Sequence, residues 1–368
     1  MDWKLYGKIG KITGNNMFSK EEDKQYNRHL ILDEIGHEGQ QKLKAAKVLV
    51  IGAGGLGCPI LQYLSAAGIG SIGIIDHDVV DQTNLQRQVI YTHNDIGKHK
   101  AEIAAKRLSA LNPYISFRTY TEKLSSQNAI SIFKEYDIIV DGSDNFPTRY
   151  LANDAAVLAN RPLVYGSIFK FEGQVAVFNY KNGPTYRCLF PNPPLPNEVP
   201  NCSDIGVLGV LPGIIGSLQA NEVIKIICGL GDTLAGRILT FNALTLQQHI
   251  IEFKKNDAIN VTKLIDYEIF CGVKEDTNEI TAKLLKEKTE DFYLIDVRTE
   301  REREQFYIEG SVHIPLDEIE DRYQEIKTSK TVVVYCQSDV RSKNAIAFLK
   351  DKFSHLEFKN LKNGLMEY

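Results

Sequence analysis

One stretch, residues 48–78, restricts the possible folds of this chain more than any other. Residues 48–51 (VLVI) are a short apolar, β-branched run of the kind buried on both faces of a sheet, and they lead directly into Gly52-Ala53-Gly54-Gly55-Leu56-Gly57. Glycines in such a turn let the backbone approach a phosphate chain. Residues 59–67 carry helical apolar spacing, which predicts a helix whose N-terminal N–H groups and partial positive charge face that phosphate. A second apolar run, 72–75, stops at Asp76, where an acidic side chain is placed to accept both hydroxyls of a ribose. The stretch reads as a nucleotide-binding βαβ unit, and the fold class it predicts is α/β, a Rossmann-like nucleotide-binding fold with a mixed sheet.

Glycine-rich turns serve NAD, FAD and ATP alike, so a dinucleotide oxidoreductase stays open on the turn alone. The residues that follow argue for a triphosphate. Thr83-Asn84-Leu85-Gln86-Arg87-Gln88 crowds amide and guanidinium donors just past the presumed ribose strand. Lys100 opens the next helical pattern, the wrong end for a cation in a helix dipole, which predicts a partner anion. The apolar run 137–141 ends in Asp141-Gly142-Ser143-Asp144-Asn145 at the carboxyl end of a predicted strand, beside the crevice where open α/β sheets bind ligands. Asp144 supplies the hard oxygen that Mg²⁺ with a triphosphate requires, and a nicotinamide site needs no such acid.

With 368 residues and 43% hydrophobic content, the chain is long enough for two or three packed domains. Formal net charge is −4 with both signs interspersed, so neither a nucleic-acid field nor a polybasic membrane patch is expected. No uncharged apolar window of about 18 residues occurs and residues 1–19 lack signal-peptide character, so a cytoplasmic protein is expected. Those residues read as an extended or disordered leader, with Met17 a second candidate start beside Met1. Six cysteines in this length are too few for a disulfide framework and are read one at a time as thiols. Cys58 and Cys228 lie in apolar helical patterns and read as core residues, the second closing an apolar span, 207–228, expected to be buried or at a subunit interface. Cys202 follows a proline-rich crossing, 191–200, and reads as an exposed thiol on a mobile segment.

In order and spacing, Gly52-x-Gly54-Gly55-Leu56-Gly57, Asp76, the 84–88 loop, Lys100, Asp144-Asn145 and Asn201-Cys202 resemble the ThiF/MoeB/HesA family. These are bacterial relatives of ubiquitin-activating enzymes, which adenylate the C-terminal glycine of ubiquitin-like sulfur carriers; the likeness spans residues 20–254. The resemblance implies that Gly55 and Asp76 hold ATP, that Asp144 binds Mg²⁺, and that Arg87 and Lys100 neutralise the triphosphate. It further implies that Arg28, otherwise an ordinary helix charge, reaches into the neighbouring subunit's site, making a homodimer, and that Cys202 is a reactive crossover-loop thiol. The partner it implies is a carrier protein ending in Gly-Gly. Relatives often bind structural zinc through two Cys-x-x-Cys pairs, but the matching places read Thr185-Tyr186-Arg187-Cys188 and Glu268-Ile269-Phe270-Cys271. One thiolate of each pair remains and no zinc is expected.

Residues 255–278 lose apolar period and gain charge, which reads as a linker. Beyond it, residues 279–368 show a small α/β pattern with Cys336-Gln337-Ser338-Asp339-Val340-Arg341 between strand and helix. A thiol at a helix N-terminus beside Arg341 is expected to have a depressed pKa and to stabilise an anionic persulfide. This segment, including Leu294-Ile295-Asp296-Val297-Arg298, resembles a rhodanese domain taking sulfur from a persulfide or thiosulfate. It departs from the pattern at Asp339, where many relatives have glycine, and at Asn363-Gly364, where they have two glycines. The reading is a fused adenylyltransferase and sulfurtransferase of molybdopterin- or thiamine-type cofactor biosynthesis, set against a nicotinamide oxidoreductase and a non-catalytic carrier-docking scaffold.

Overall fold

The β-branched runs become the centre of an eight-stranded mixed sheet. The structure, a computed structural model, describes residues 18–194, 206–274 and 276–368, which form two compact units dividing after Gly272. In the first unit the strands are β1 (Lys47–Ile51), β2 (Ser71–Ile75), β3 (Ser116–Tyr120), β4 (Ile138–Asp141), β5 (Leu163–Phe169), β6 (Glu172–Phe178), β7 (Arg237–Asn242) and β8 (Gln248–Glu252). Their spatial order is β3-β2-β1-β4-β5-β6-β7-β8. The first five are parallel, and β6, β7 and β8 add an antiparallel extension.

Period-two alternation in β1 explains the layering. Val48 and Val50 enter one core with Ile72, Ile74 and Leu64, while Leu49 and Ile51 enter the opposite core with Ile139, Phe133 and Tyr150. Both faces are therefore covered, the first by helices Gly57–Ala67, Lys100–Leu111 and Leu211–Cys228, the second by Ala129–Lys134 and Phe146–Ala159. The chain leaves β1 for β2 on one side and later returns to β4 on the other. That reversal makes the carboxyl ends of β1 and β4 the topological switch point. Helix Leu211–Cys228 crosses Gly57–Ala67 closely, since a Cβ at Gly216 would fall 2.5 Å from Pro59 Cγ. Its other apolar residues, Ile214, Leu218 and Ile227, are half-buried in the chain by itself rather than fully enclosed.

The segment expected to link the units belongs largely to the first. Tyr267 and Cys271 are buried in its second core, and Tyr267 Oη donates to Asp154 Oδ2 at 2.7 Å. Arg187 forks onto the same carboxylate at 2.8 and 2.7 Å and lies over the rings of Tyr150 and Phe270. Much of 255–272 stays exposed, but Tyr267 and Cys271 anchor its end in the core of the first unit.

The second unit is a five-stranded parallel sheet of β9 (Glu279–Ile280), β10 (Phe292–Asp296), β11 (Val312–His313), β12 (Thr331–Tyr335) and β13 (Phe358–Leu361), in the order β11-β10-β12-β13-β9. Here again Val332 and Val334 enter one core and Val333 and Tyr335 the other. Helix Val340–Lys352 follows β12 directly and carries the Cys336 loop at its N-terminus. Residues 1–17 of the expected leader, and Cys202 with residues 195–200 of its crossing, lie outside the described residues.

Candidate nucleotide and thiol sites

Register places the glycine turn against the end of β4. Ile51 pairs with Asp141, so Gly52 and Gly142 leave the sheet side by side, and a Cβ on Gly52 would lie 3.1 Å from Gly142 O. Gly52 has φ +83°, and a Cβ on Gly57 would fall 2.0 Å from Gly52 O, so these two positions admit only glycine. Helix Gly57–Ala67 has Leu56 at its N-cap with no side-chain cap; Cys58 N–H bonds Gly54 O and Pro59 has no N–H, so the Gly57 N–H and the positive end of the helix are what its first turn offers a ligand.

Asp76 has a structural role at the glycine turn. Its Oδ2 accepts Ala53 N–H at 2.7 Å and its Oδ1 accepts Asp78 N–H at 2.8 Å, so the carboxylate clamps the glycine turn to the end of β2. Burial raises its pKa, opposed by the Ala53 N–H and the Lys100 charge. Each carboxylate oxygen accepts more than one hydrogen bond, so ribose contact remains compatible with the clamp.

Arg87 stands over the turn, with Cδ 3.7 Å from a Cβ position on Gly55, and Nη1 donates to Thr83 O at 3.1 Å. Gln88 is buried with Nε2 3.5 Å from the equivalent point on Gly54. The loop residues before them are partly structural: Thr83 N and Oγ1 donate to Asp81 Oδ1, Asn84 Oδ1 accepts Asp81 N–H, and Leu85 packs on the core. Gln86 is exposed, its Oε1 2.3 Å from a Cβ position on Gly209. Lys100 has the partner anion its position demanded, and that partner is internal: Nζ lies 3.0 Å from Asp78 Oδ2, with Lys100 buried and Asp78 half-exposed. Asp78 escaped sequence reasoning, although its spacing two residues after Asp76 at a strand end was the available signal.

Asp144 is exposed just past β4, on the loop that abuts the glycine turn. Asn145 is less free: its Oδ1 accepts Thr148 N–H and caps helix Phe146–Ala159. Between them and the turn lie buried polar atoms without a partner among the described residues, Asp141 Oδ2, Ser143 Oγ and Gln88 Oε1. A glycine cradle, an uncapped helix end, two cations and unsatisfied polar atoms together fit a nucleotide triphosphate with a hard cation at Asp144. Arg28 is exposed in the short helix Asn27–Leu30, next to exposed Ile31 and Leu32.

Cys58 and Cys228 are core thiols as expected; burial pushes Cys58 up to about 12 and also raises Cys228. Cys271 is buried, at about 11, and Cys188 Sγ accepts the N–H groups of Thr185 and Asn256 at 3.4 Å each. Neither belongs to a group of three metal-ligating side chains among the described residues; the group that does form is Asp76, His77 and Asp78.

In the second unit Cys336 immediately follows β12 and is fully buried, Sγ 3.4 Å from Ser342 Oγ, which donates to Asn360 Oδ1 at 2.6 Å. Asp339 has φ +65° and Asn363 φ +59°, left-handed positions where the family's glycines are easily explained. A Cβ at Gly364 would fall 2.4 Å from Cys336 O, so this second glycine position has no substitute. Arg341 does not simply face the thiol: its guanidinium forks onto Glu302, a residue the sequence reading missed.

Fold and sites together define a nucleotide-binding domain at a switch point joined to a sulfur-handling thiol domain. The chain belongs to the ThiF family, whose model matches residues 26–261, and a rhodanese-like domain matches residues 277–368. It is 44% identical to the probable adenylyltransferase/sulfurtransferase MoeZ of Mycobacterium tuberculosis, over 95% of this chain and 93% of that protein. It is 49% identical to the sulfur carrier protein adenylyltransferase of Thermus thermophilus over 70% of this chain and 99% of that protein, and 40% identical to MOCS3 of Xenopus laevis over 94% and 85%. Among solved structures, E. coli MccB with ATP shares the fold at a TM-score of 0.57, 24% identity, 68% of this chain and 75% of that one. The chain is an enzyme of the adenylyltransferase/sulfurtransferase type, which sets aside the oxidoreductase and the scaffold. Among the described residues no helix is long and apolar enough to cross a membrane.

Proposed function

We infer that the first unit adenylates the C-terminal carboxylate of a small ubiquitin-like sulfur carrier ending in Gly-Gly, and that Cys336 then supplies sulfur to make it a thiocarboxylate. The observation that carries this reading is Arg87 standing over Gly55 at an uncapped helix N-terminus, with Lys100 buried nearby, in a chain that also carries the thiol loop. A carboxylate attacking the α-phosphorus of ATP brings anions together and expels pyrophosphate, so the barrier is chiefly electrostatic. Arg87, Lys100 and the positive N-terminal end of helix Gly57–Ala67 oppose that charge, Asp76 holds the turn in place, and no general base is needed because the nucleophile is already ionised. Asp144 would hold Mg²⁺, which when bound would supply further charge neutralisation on the phosphates.

Arg28 acts across a homodimer, and the exposed Ile31 and Leu32 beside it support an interface there. Cys202 acts after adenylation, displacing AMP or resolving a persulfide-linked intermediate. No structural zinc is required: the Asp154, Arg187 and Tyr267 network already ties together the segments that hold Cys188 and Cys271. The setting is cytoplasmic cofactor biosynthesis of the molybdopterin or thiamine type, without nucleic acid or membrane. Mass spectrometry of a Gly-Gly carrier after incubation with the protein, ATP and a sulfur donor tests the reading; replacement of the terminal hydroxyl by a thiol is expected. A carrier unchanged under conditions of active pyrophosphate exchange would refute the sulfur-transfer half.

A further inference from the structure

Two consecutive peptides of the glycine turn are each held by a side chain. Asp76 Oδ2 accepts Ala53 N–H at 2.7 Å, and Tyr91 Oη donates to Ala53 O at 2.8 Å, with Lys100 O 3.3 Å from the same hydroxyl. Cys58 Sγ, 3.5 Å from Ala53 O, is a second and weaker donor. Tyr91 and Ala53 are both buried, so the carbonyl is closed to solvent. Burial also raises the Tyr91 pKa, and the hydroxyl keeps its proton at every working pH. Tyr91 N–H donates to Gln88 O at 3.1 Å, which anchors the residue in the loop that carries Arg87. One hydroxyl thus stands between the glycine turn, the Arg87 loop and the first turn of the Lys100 helix.

Ala53 C=O and Gly54 N–H belong to one trans peptide, so they point in opposite directions. With the carbonyl drawn toward Tyr91, Gly54 N–H is turned away from it. Gly54 is half-exposed, and its N–H makes no hydrogen bond among the described residues. Turning this peptide over would change only ψ of Ala53 and φ of Gly54, and glycine accepts either sign of φ, so local sterics do not choose between the two orientations. We propose that Tyr91 is a positioning residue for the nucleotide: its hydroxyl fixes the Ala53–Gly54 peptide so that Gly54 N–H, and not Ala53 O, faces the phosphate chain. The inference rests on the adenylation reading above and adds the group that sets the polarity of the cradle. A reversed peptide would aim a carbonyl dipole at the anion in place of a donor.

The test compares the binding of ATP with Mg²⁺ and of adenosine to the full chain by calorimetry. Tyr91→Phe removes the hydroxyl and little else. It should raise the Kd for ATP by about tenfold, the loss of one hydrogen bond to a charged group, and that for adenosine by less than about twofold. In carrier-dependent pyrophosphate exchange the same variant should raise KM for ATP by a similar factor, with a smaller change in kcat. Tyr91→Phe combined with Cys58→Ala removes both side-chain donors to Ala53 O and should widen the gap between ATP and adenosine further. A hydroxyl that merely stabilises the fold would weaken both ligands alike. An ATP-to-adenosine affinity ratio unchanged in Tyr91→Phe therefore overturns the proposal. A wild type that binds ATP no more tightly than adenosine overturns the triphosphate site itself, and the proposal with it.

Discussion

Lys100 Nζ sits 3.0 Å from Asp78 Oδ2, and this pair ties the start of one helix to the loop after β2 beside the glycine turn. Lys100→Ala should lower pyrophosphate exchange into ATP by more than about 100-fold, the cost of removing one preorganised charge from the transition state. Asp78→Ala leaves the buried ammonium without its partner and should cost about 1–3 kcal/mol of stability, with a smaller loss of exchange. Urea unfolding and exchange assays on the two variants check this; a fully active Lys100→Ala would remove the residue from the site.

Asp144 is exposed, so replacing it disturbs little structure. Asp144→Ala should unfold within about 0.5 kcal/mol of the wild type, yet lose carrier-dependent pyrophosphate exchange at every Mg²⁺ concentration. Recovery of full exchange at raised Mg²⁺ would show weakened rather than essential ligation.

Pairing Arg28 with Asp144 tests the proposed homodimer. Neither Arg28→Ala nor Asp144→Ala homodimers should turn over, but mixed dimers should regain activity, because one site in each heterodimer has both groups intact. Heterodimers confirmed by mass yet inactive would return Arg28 to being a surface charge.

Acid should loosen the second unit through Glu302. Its carboxyl is held at about 2, against 4.5 ordinarily, so the folded state prefers the charged form. The stabilisation is fully present above 4.5 and is lost as pH falls from there through about 2. Calorimetry between pH 5 and 3 should show the second unit's transition falling in the wild type and falling less in Glu302→Gln; parallel curves would contradict the assignment.

Thiols should divide the work after adenylation. Neither Cys336→Ala nor Cys202→Ala should change pyrophosphate exchange, since forming the acyl-adenylate needs no thiol. Cys336→Ala should lose donor sulfur loading and thiocarboxylate formation, while Cys202→Ala keeps the first and loses part of the second. Normal thiocarboxylate yield in Cys336→Ala would mean that sulfur arrives by another route.

From the sequence alone came the elements whose signal is local. The run 48–51 buried on both faces, the glycines at 52 and 57, the acid after β2 and the cysteine between strand and helix were all legible, because each depends on residues within a turn or two. What escaped was every pairing across distant segments. Lys100 found Asp78, Arg341 found Glu302, and Tyr267 with Arg187 met on Asp154, 113 and 33 residues away respectively. The antiparallel strands β7 and β8 were equally silent, since β8 is exposed along its length and shows no alternation. Apolar spacing records which faces are buried, but a charge shows its partner only after packing brings remote elements together and removes the water between them. The tertiary structure therefore decided which charges pair with one another, as Lys100 does with Asp78 and Arg341 with Glu302.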